Sequence, residues 1–150
     1  MRRLLLTLFL FAALTPDGVT VDRIAAVIDR QVLTVSEVWQ MVEIRFFPRL
    51  AESEDEHRQE VLDALIAQTL RYRDVERFGA QDIPADAIEA RLLEIRGRFE
   101  SEEAFLAAAA RAELALDEIR ALVKRQLQVE AYVKERFAPL IVVGNEEIAA

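Results

Sequence analysis

The eight prolines and glycines of this 150-residue chain divide it, because each lies at or near a point where an apolar rhythm starts or stops. Between these breakers, apolar residues return at steps of three and four, the period of one face of an α-helix. Proline removes a helical N–H and clashes with the preceding turn, and glycine tolerates the left-handed turn that closes a helix. A chain punctuated in this way is expected to be mainly helical.

The expected elements run in chain order. Residues 24–28 and 32–34 are short apolar runs around Asp29-Arg30-Gln31, which predicts a small hairpin. Thr34-Val35-Ser36-Glu37 has the spacing of a capping box, so a first helix begins there. Val35, Val38, Val42 and Phe46 form its stripe, and Pro48 is expected to end it. A polar loop over 51–55 leads to a second helix, whose wide stripe (Val61, Leu62, Leu65, Ile66, Leu70, Tyr72, Val75, Phe78) predicts packing on two sides before Gly79 caps it. A third helix starts at Ile83-Pro84, with Ile88, Leu92, Ile95 and Phe99 inward and Gly97 weakening its last turn. An alanine-rich fourth helix runs from Ser101 through Ala112, and 114–116 connects to a long fifth helix opened by Asp117 and stopped by Pro139. The run 140–143 reads as a strand able to pair with 24–28. The expected fold is therefore mainly α: an irregular bundle of about five helices with short N- and C-terminal strands.

Met1-Arg2-Arg3 followed by an apolar stretch over 4–14 and then Pro16-Asp17-Gly18 has the layout of a secretory signal peptide. The apolar stretch is far short of the ~20 residues that span a bilayer. Residues 1–20 are thus expected to be the leader, cleaved between about Gly18 and Thr20, and 21–150 the mature domain. That places the protein in the periplasm, without stable membrane insertion after cleavage.

The chain has no cysteine, which excludes a disulfide, a thiol nucleophile and a lipid-bearing N-terminus. Its net charge of −8 disfavours binding to phosphate backbones, so no nucleic acid is expected as partner. His57 is the only histidine and lies among Glu54, Asp55, Glu56 and Glu60. Without a second histidine at ligand spacing it is expected at a solvated helix start, not in a metal site. The pairs Glu102-Glu103, Asp117-Glu118 and Glu146-Glu147 fall at helix starts, where carboxylates interact well with the helix dipole. Arg71, Arg73 and Arg77, interrupted by Asp74 and Glu76, read as a solvated face. No catalytic residue, metal ligand or cofactor site is expected. Trp39, Met41 and Phe47 fall partly off the first helix's stripe. They are either core beneath a neighbouring helix or an exposed aromatic and methionine surface, the kind that adapts to peptides. Trp39, Met41, Phe46 and Phe47 are the candidate peptide-binding residues.

Val21-Asp22-Arg23-Ile24-Ala25-Ala26-Val27-Ile28-Asp29 resembles the start of mature SurA-type chaperones. Val32-Leu33-Thr34-Val35-Ser36-Glu37-Val38 is similar to their entry into helix one, and Arg58-Gln59-Glu60-Val61-Leu62-Asp63-Ala64-Leu65-Ile66 to their second helix. Gly79-Ala80-Gln81-Asp82-Ile83 looks like the family's helix end, residues 105–133 its closing helix pair, and 140–148 its exit strand and linker. The resemblance covers residues 21–148. It implies a periplasmic, ATP-independent chaperone module that binds unfolded outer-membrane proteins or other extended polypeptides. Longer family members add parvulin prolyl-isomerase domains and a returning C-terminal helix, so this chain is expected not to be an enzyme. An unpaired core surface would favour a homodimer with an exchanged segment. Two other readings stay open: the non-catalytic N-terminal part of a parvulin-type peptidyl-prolyl isomerase, and a helical adaptor that binds one folded partner.

Overall fold

A computed structural model of the protein describes residues 22–137. The expected leader, the 140–143 strand with its pairing to 24–28, the Pro139 stop and the Glu146-Glu147 pair lie outside the described residues. Within them the chain is mainly helical, with five helices and one two-stranded antiparallel sheet: β1 Ile24–Ile28, β2 Gln31–Thr34, α1 Val35–Glu43, α2 Glu54–Phe78, α3 Ala85–Arg96, α4 Glu102–Arg111 and α5 Leu116–Phe137.

The hairpin turns through Asp29 and Arg30, with Asp29 left-handed at φ +53°. Asp accepts that conformation more readily than most residues, so the turn closes without glycine. The register places Val27 opposite Val32 and Ile28 opposite Gln31, and a bulge at Ala25 shifts the pairing so that Ile24 meets Thr34. A bulge adds one residue to one strand and re-aims its neighbours. Here it puts Ile24 on the same face as Val27 and Val32. Ile28 and Leu33 point the other way and are buried.

The hairpin runs straight into α1 through the expected capping box. Thr34 N donates to Glu37 Oε2 at 2.7 Å, and Glu37 N donates to Thr34 Oγ1 at 3.2 Å. Ser36 N donates to Asp22 Oδ1 at 3.3 Å, and Val35 N to the Arg23 carbonyl at 2.8 Å. Asp22 is held below the usual carboxylate range, first by the Thr34 side chain and then by Ser36.

α1 does not reach Pro48. Its last residue is Glu43 and its C-cap is Ile44, four residues before Pro48, because Arg45 turns left-handed at φ +49°. Phe46 N then donates to the Met41 carbonyl at 2.9 Å and Arg45 N to the Val42 carbonyl at 3.0 Å. This pair of bonds is a Schellman closure, with Phe46 as its buried hydrophobic anchor. α4 ends in the same manner: Glu113 sits at φ +55°, Leu114 N donates to the Ala109 carbonyl and Glu113 N to the Ala110 carbonyl. Gly97 stands at the C-cap of α3, two residues before Phe99, and Pro84 sits at the N-cap of that helix, one position before its first residue. α5 starts at Leu116, inside the expected connector.

The 25 residues of α2 span about 37 Å at 1.5 Å per residue. α2 packs on α1, α5 and β1, in line with its wide stripe, while α3 packs on α5 and α4 on α1. Only part of the α2 stripe is covered: Val61 and Val75 are buried, but Leu70 and Phe78 are about half exposed. The core joins Phe46, Val61, Leu92, Ile95, Phe105, Ile119 and Val123, with Ala109 and Ala112 admitting close approach of α4. Burying each large side chain there stabilises the fold by roughly 1.5–3 kcal/mol. Ion pairs fasten the exterior. Arg91 spans α3 to α5 with two bonds to Glu130 at 2.8 and 2.9 Å, and Arg120 reaches Glu89 at 2.7 Å.

His57 departs from the solvated site expected for it: its residue exposure is 5%. The loop after α1 folds back over the first turns of α2 and covers it. Arg49 pins that loop to Glu54 and to the carbonyls of Ala51 and Glu52, and Glu60 accepts from Ala51 N. Charged neighbours in sequence say nothing of how the preceding loop folds back over a helix face.

Candidate functional site

Of the four candidate peptide-binding residues, the structure separates two from two. Met41 and Phe46 are core, at 4% and 2% exposure, and of the two only Met41 keeps an edge on an open groove. The physical reason is the Schellman closure, which swings Phe46 under the end of α1 and leaves Met41 on the inward side with Val38. Phe47 is half-buried, stacked edge-on against Phe46 with ring centroids 5.1 Å apart. Trp39 is the one that faces solvent, 43% exposed. Val35 stands one turn before it, is also exposed, and does not join the core as its stripe position predicts.

A concavity with a mainly apolar lining lies where β2, α1, α2 and α5 meet. It is an open groove of about 390 Å³. Leu33, Met41, Leu65, Leu114, Leu122 and Ala121 supply its apolar surface. Glu37, Gln40, Gln68, Glu118 and Arg125 stand around it. The volume is near the lower end of the ~300–1,000 Å³ typical of ligand pockets, enough for a few side chains of an extended segment and too little for a folded partner.

The polar groups of this groove are partly engaged. Gln40 Nε2 donates to the Ala112 carbonyl at 3.0 Å, and Glu37 and Glu118 accept from the capped N-termini of α1 and α5. The Arg125 guanidinium lies 4.0 Å from the Tyr72 ring centroid in a cation–π contact, while its Nε is buried without a hydrogen-bond partner among the described residues. Such a groove offers apolar contact along its length and donors or acceptors at its edge, the combination that takes up a polypeptide backbone without reading its sequence closely.

Sequence reasoning placed Met41 here and missed Leu65, Leu114, Leu122 and Ala121. Leu65 and Leu122 belong to stripes read as core, and each is partly buried with one side left to the groove. No sequence pattern separates a leucine sealed in the core from one half open to a cleft.

Beyond the groove, large apolar residues stay exposed on the outer hairpin face (Ile24 64%, Val27 61%, Val32 47%) and at the far ends of α2 and α5, where Phe78 stacks on Tyr132 at 6.3 Å. The carboxylate pairs Glu102-Glu103 and Asp117-Glu118 occupy the first turns of α4 and α5. Glu103 is held below the usual carboxylate range by its own backbone amide and then by Ser101. Arg73 stays on the solvated face expected of it and pairs there with Asp29, which ties α2 to the hairpin. Among the described residues no three potential metal ligands converge, and no helix is long and apolar enough to cross a membrane.

No family model, no curated protein and no solved structure matches this chain.

Proposed function

We propose that this protein is a periplasmic, ATP-independent chaperone module that holds extended segments of unfolded polypeptide, outer-membrane proteins among them. The observation that carries the reading is the open apolar groove between β2, α1, α2 and α5, next to a helix that presents Trp39 to solvent. The similarity of residues 21–148 to SurA-type chaperones supports it, and the cationic-then-apolar leader supports export. An acidic surface keeps a protein with this much exposed apolar area soluble. Affinity for any one segment is modest, roughly micromolar, because the client loses chain entropy on binding.

The test is an aggregation assay. An unfolded outer-membrane barrel protein is diluted from urea with and without the chain, and light scattering is measured over time. Suppression near stoichiometric ratio is the expected outcome, weakened several-fold in the Ala121→Glu variant, which places a charge in the groove from an exposed helix position. Scattering unaffected by the chain sinks the chaperone reading. Suppression unchanged in A121E moves the binding surface elsewhere and sinks the groove assignment. Prolyl-isomerase turnover by the chain would make it a catalytic protein instead.

A further inference from the structure

A second cleft, of about 850 Å³, shares no lining residue with the groove and lies between the end of α1, the loop after it, the start of α2, the α3–α4 turn and α4. Its composition is unusual for so acidic a protein: Arg45, Arg49, Arg98 and Arg111 line it against Glu43, Glu54 and Glu100. Two of these arginines are already neutralised, Arg49 by Glu54 at 2.6 Å and Arg111 by Glu43 at 2.5 Å. Arg45 and Arg98 are not: neither makes an ion pair among the described residues.

These two guanidinium groups are held side by side. Arg45 donates to the Arg98 carbonyl, and Arg98 donates to the carbonyls of Arg45 and Phe46, at 2.5 and 2.7 Å. Burial pushes the Arg98 guanidinium below its ordinary pKa, with Glu94 acting in the opposite sense. Arg45 also lies over the Phe99 ring, 4.6 Å from its centroid. The pair is thus fixed by backbone carbonyls and an aromatic face, which carry no full charge, and neither guanidinium has a carboxylate within ion-pair distance among the described residues. His57 forms part of the same wall, 5% exposed, and its Nδ1 has no hydrogen-bond partner among the described residues, with Glu60 Oε2 3.7 Å away.

We propose that this cleft binds a monocarboxylate carried on an apolar body, seated on Arg45 and Arg98. Four arginines against three glutamates leave one positive charge, which a carboxylate balances. A phosphate dianion would meet three glutamates and overshoot that balance. Arginine presents paired N–H donors that match the two oxygens of a carboxylate. Val42, Phe47 and Phe99 offer apolar contact, and Ala104 and Ala107 on α4 leave room for the ligand's body. Two sources carry this chemistry, the C-terminus of a polypeptide that ends in an apolar residue and a free short-chain carboxylate. The site stands apart from the apolar groove, so its fate does not depend on the chaperone reading.

Isothermal titration calorimetry on the full chain tests it, with an acetylated apolar pentapeptide ending in free leucine, the same peptide as its C-terminal amide, hexanoate and inorganic phosphate. The free-acid peptide binds, and the amide binds about tenfold more weakly or worse, as expected for loss of a charge-assisted hydrogen-bonded pair. Arg98→Gln abolishes binding, but it also removes bonds that hold the loop. Ala107→Phe is therefore the cleaner variant: it fills the cleft from an exposed helix position, leaves the guanidinium bonds alone, and weakens binding at least about tenfold with helical circular dichroism unchanged. Hexanoate binding as well as the peptide supports the site with small carboxylates as its source; peptide binding alone supports it with the chain end as its source. Equal binding of acid and amide, tighter binding of phosphate, or full binding by a folded A107F protein overturns the proposal.

Discussion

The body built from α1, α3, α4 and the adjoining parts of α2 and α5 differs sharply from the hairpin that leads into it. In the body, Ile44, Leu92, Ile95, Phe105, Ile119 and Val123 are wholly withdrawn from water. In the hairpin, only Ile28 and Leu33 are buried, while Ile24, Val27 and Val32 face outward in a row aligned by the Ala25 bulge. Both regions are rich in β-branched and aliphatic residues. What separates them is the number of neighbouring layers: a helix in a bundle is covered on several sides, whereas a two-stranded sheet has one face to give to the core. Similar side chains therefore supply cohesion in one place and exposed surface in the other. A domain arranged in this way keeps its shape in one region while presenting apolar area in another, which is what the proposed holding of unfolded chain would need.

That contrast predicts a steep gradient of mutational effect. Phe105→Ala stands at the top. The ring is fully buried, packed edge-on against Phe99 at 5.5 Å and covered by Arg96. Its loss should destabilise the chain by about 3–5 kcal/mol in urea unfolding. A loss below about 1 kcal/mol would show that the body is not the rigid part.

Thr34→Ala tests the joint between the two regions. It removes one half of the capping box and the hydroxyl that stabilises ionised Asp22, and should cost about 1 kcal/mol at neutral pH. The pH dependence gives a second reading of the same joint. Asp22 has its folded-state pKa lowered, so its contribution is present above the unfolded carboxylate value and is lost as pH falls through the lower folded value. Wild type should lose this contribution in that acid window, and T34A should lose less there. Parallel pH–stability curves for the two proteins would break the assignment.

Val27→Thr has the smallest expected effect. The residue is 61% exposed and threonine keeps the β-branch, so stability should change by less than about 0.5 kcal/mol. A loss of about 2 kcal/mol or more would mean that the outer hairpin face is covered in solution, and equilibrium unfolding repeated across protein concentration would then reveal whether a second copy covers it.

Helix content, helix order and the hairpin were legible because they arise from local causes. Apolar periodicity specifies the helices, and Thr34 with Glu37 specifies the start of α1. Gly79, at φ +100°, marks the end of α2 because a residue with a side chain is strained in that conformation. The two left-handed closures were not legible, since Arg45 and Glu113 carry no intrinsic preference for that backbone. Each is held there by the packing of its next residue: Phe46 buried beneath α1, Leu114 set against the core. Of the candidate site, the sequence offered Trp39, Met41, Phe46 and Phe47 as a set, and periodicity had no means of dividing it.

The sequence by itself determined which stretches become helices, where most of them start, and that the chain carries more apolar surface than a small sheet can hide. Those properties depend on residues three or four apart, within reach of one turn. Only the tertiary structure decided which apolar side chains are sealed and which line an open groove, that His57 lies beneath a loop, and that Arg45 and Arg98 meet across 53 residues of chain. Burial and charge pairing depend on what the rest of the chain places overhead, and that information is distributed over the whole sequence, not carried by any segment of it.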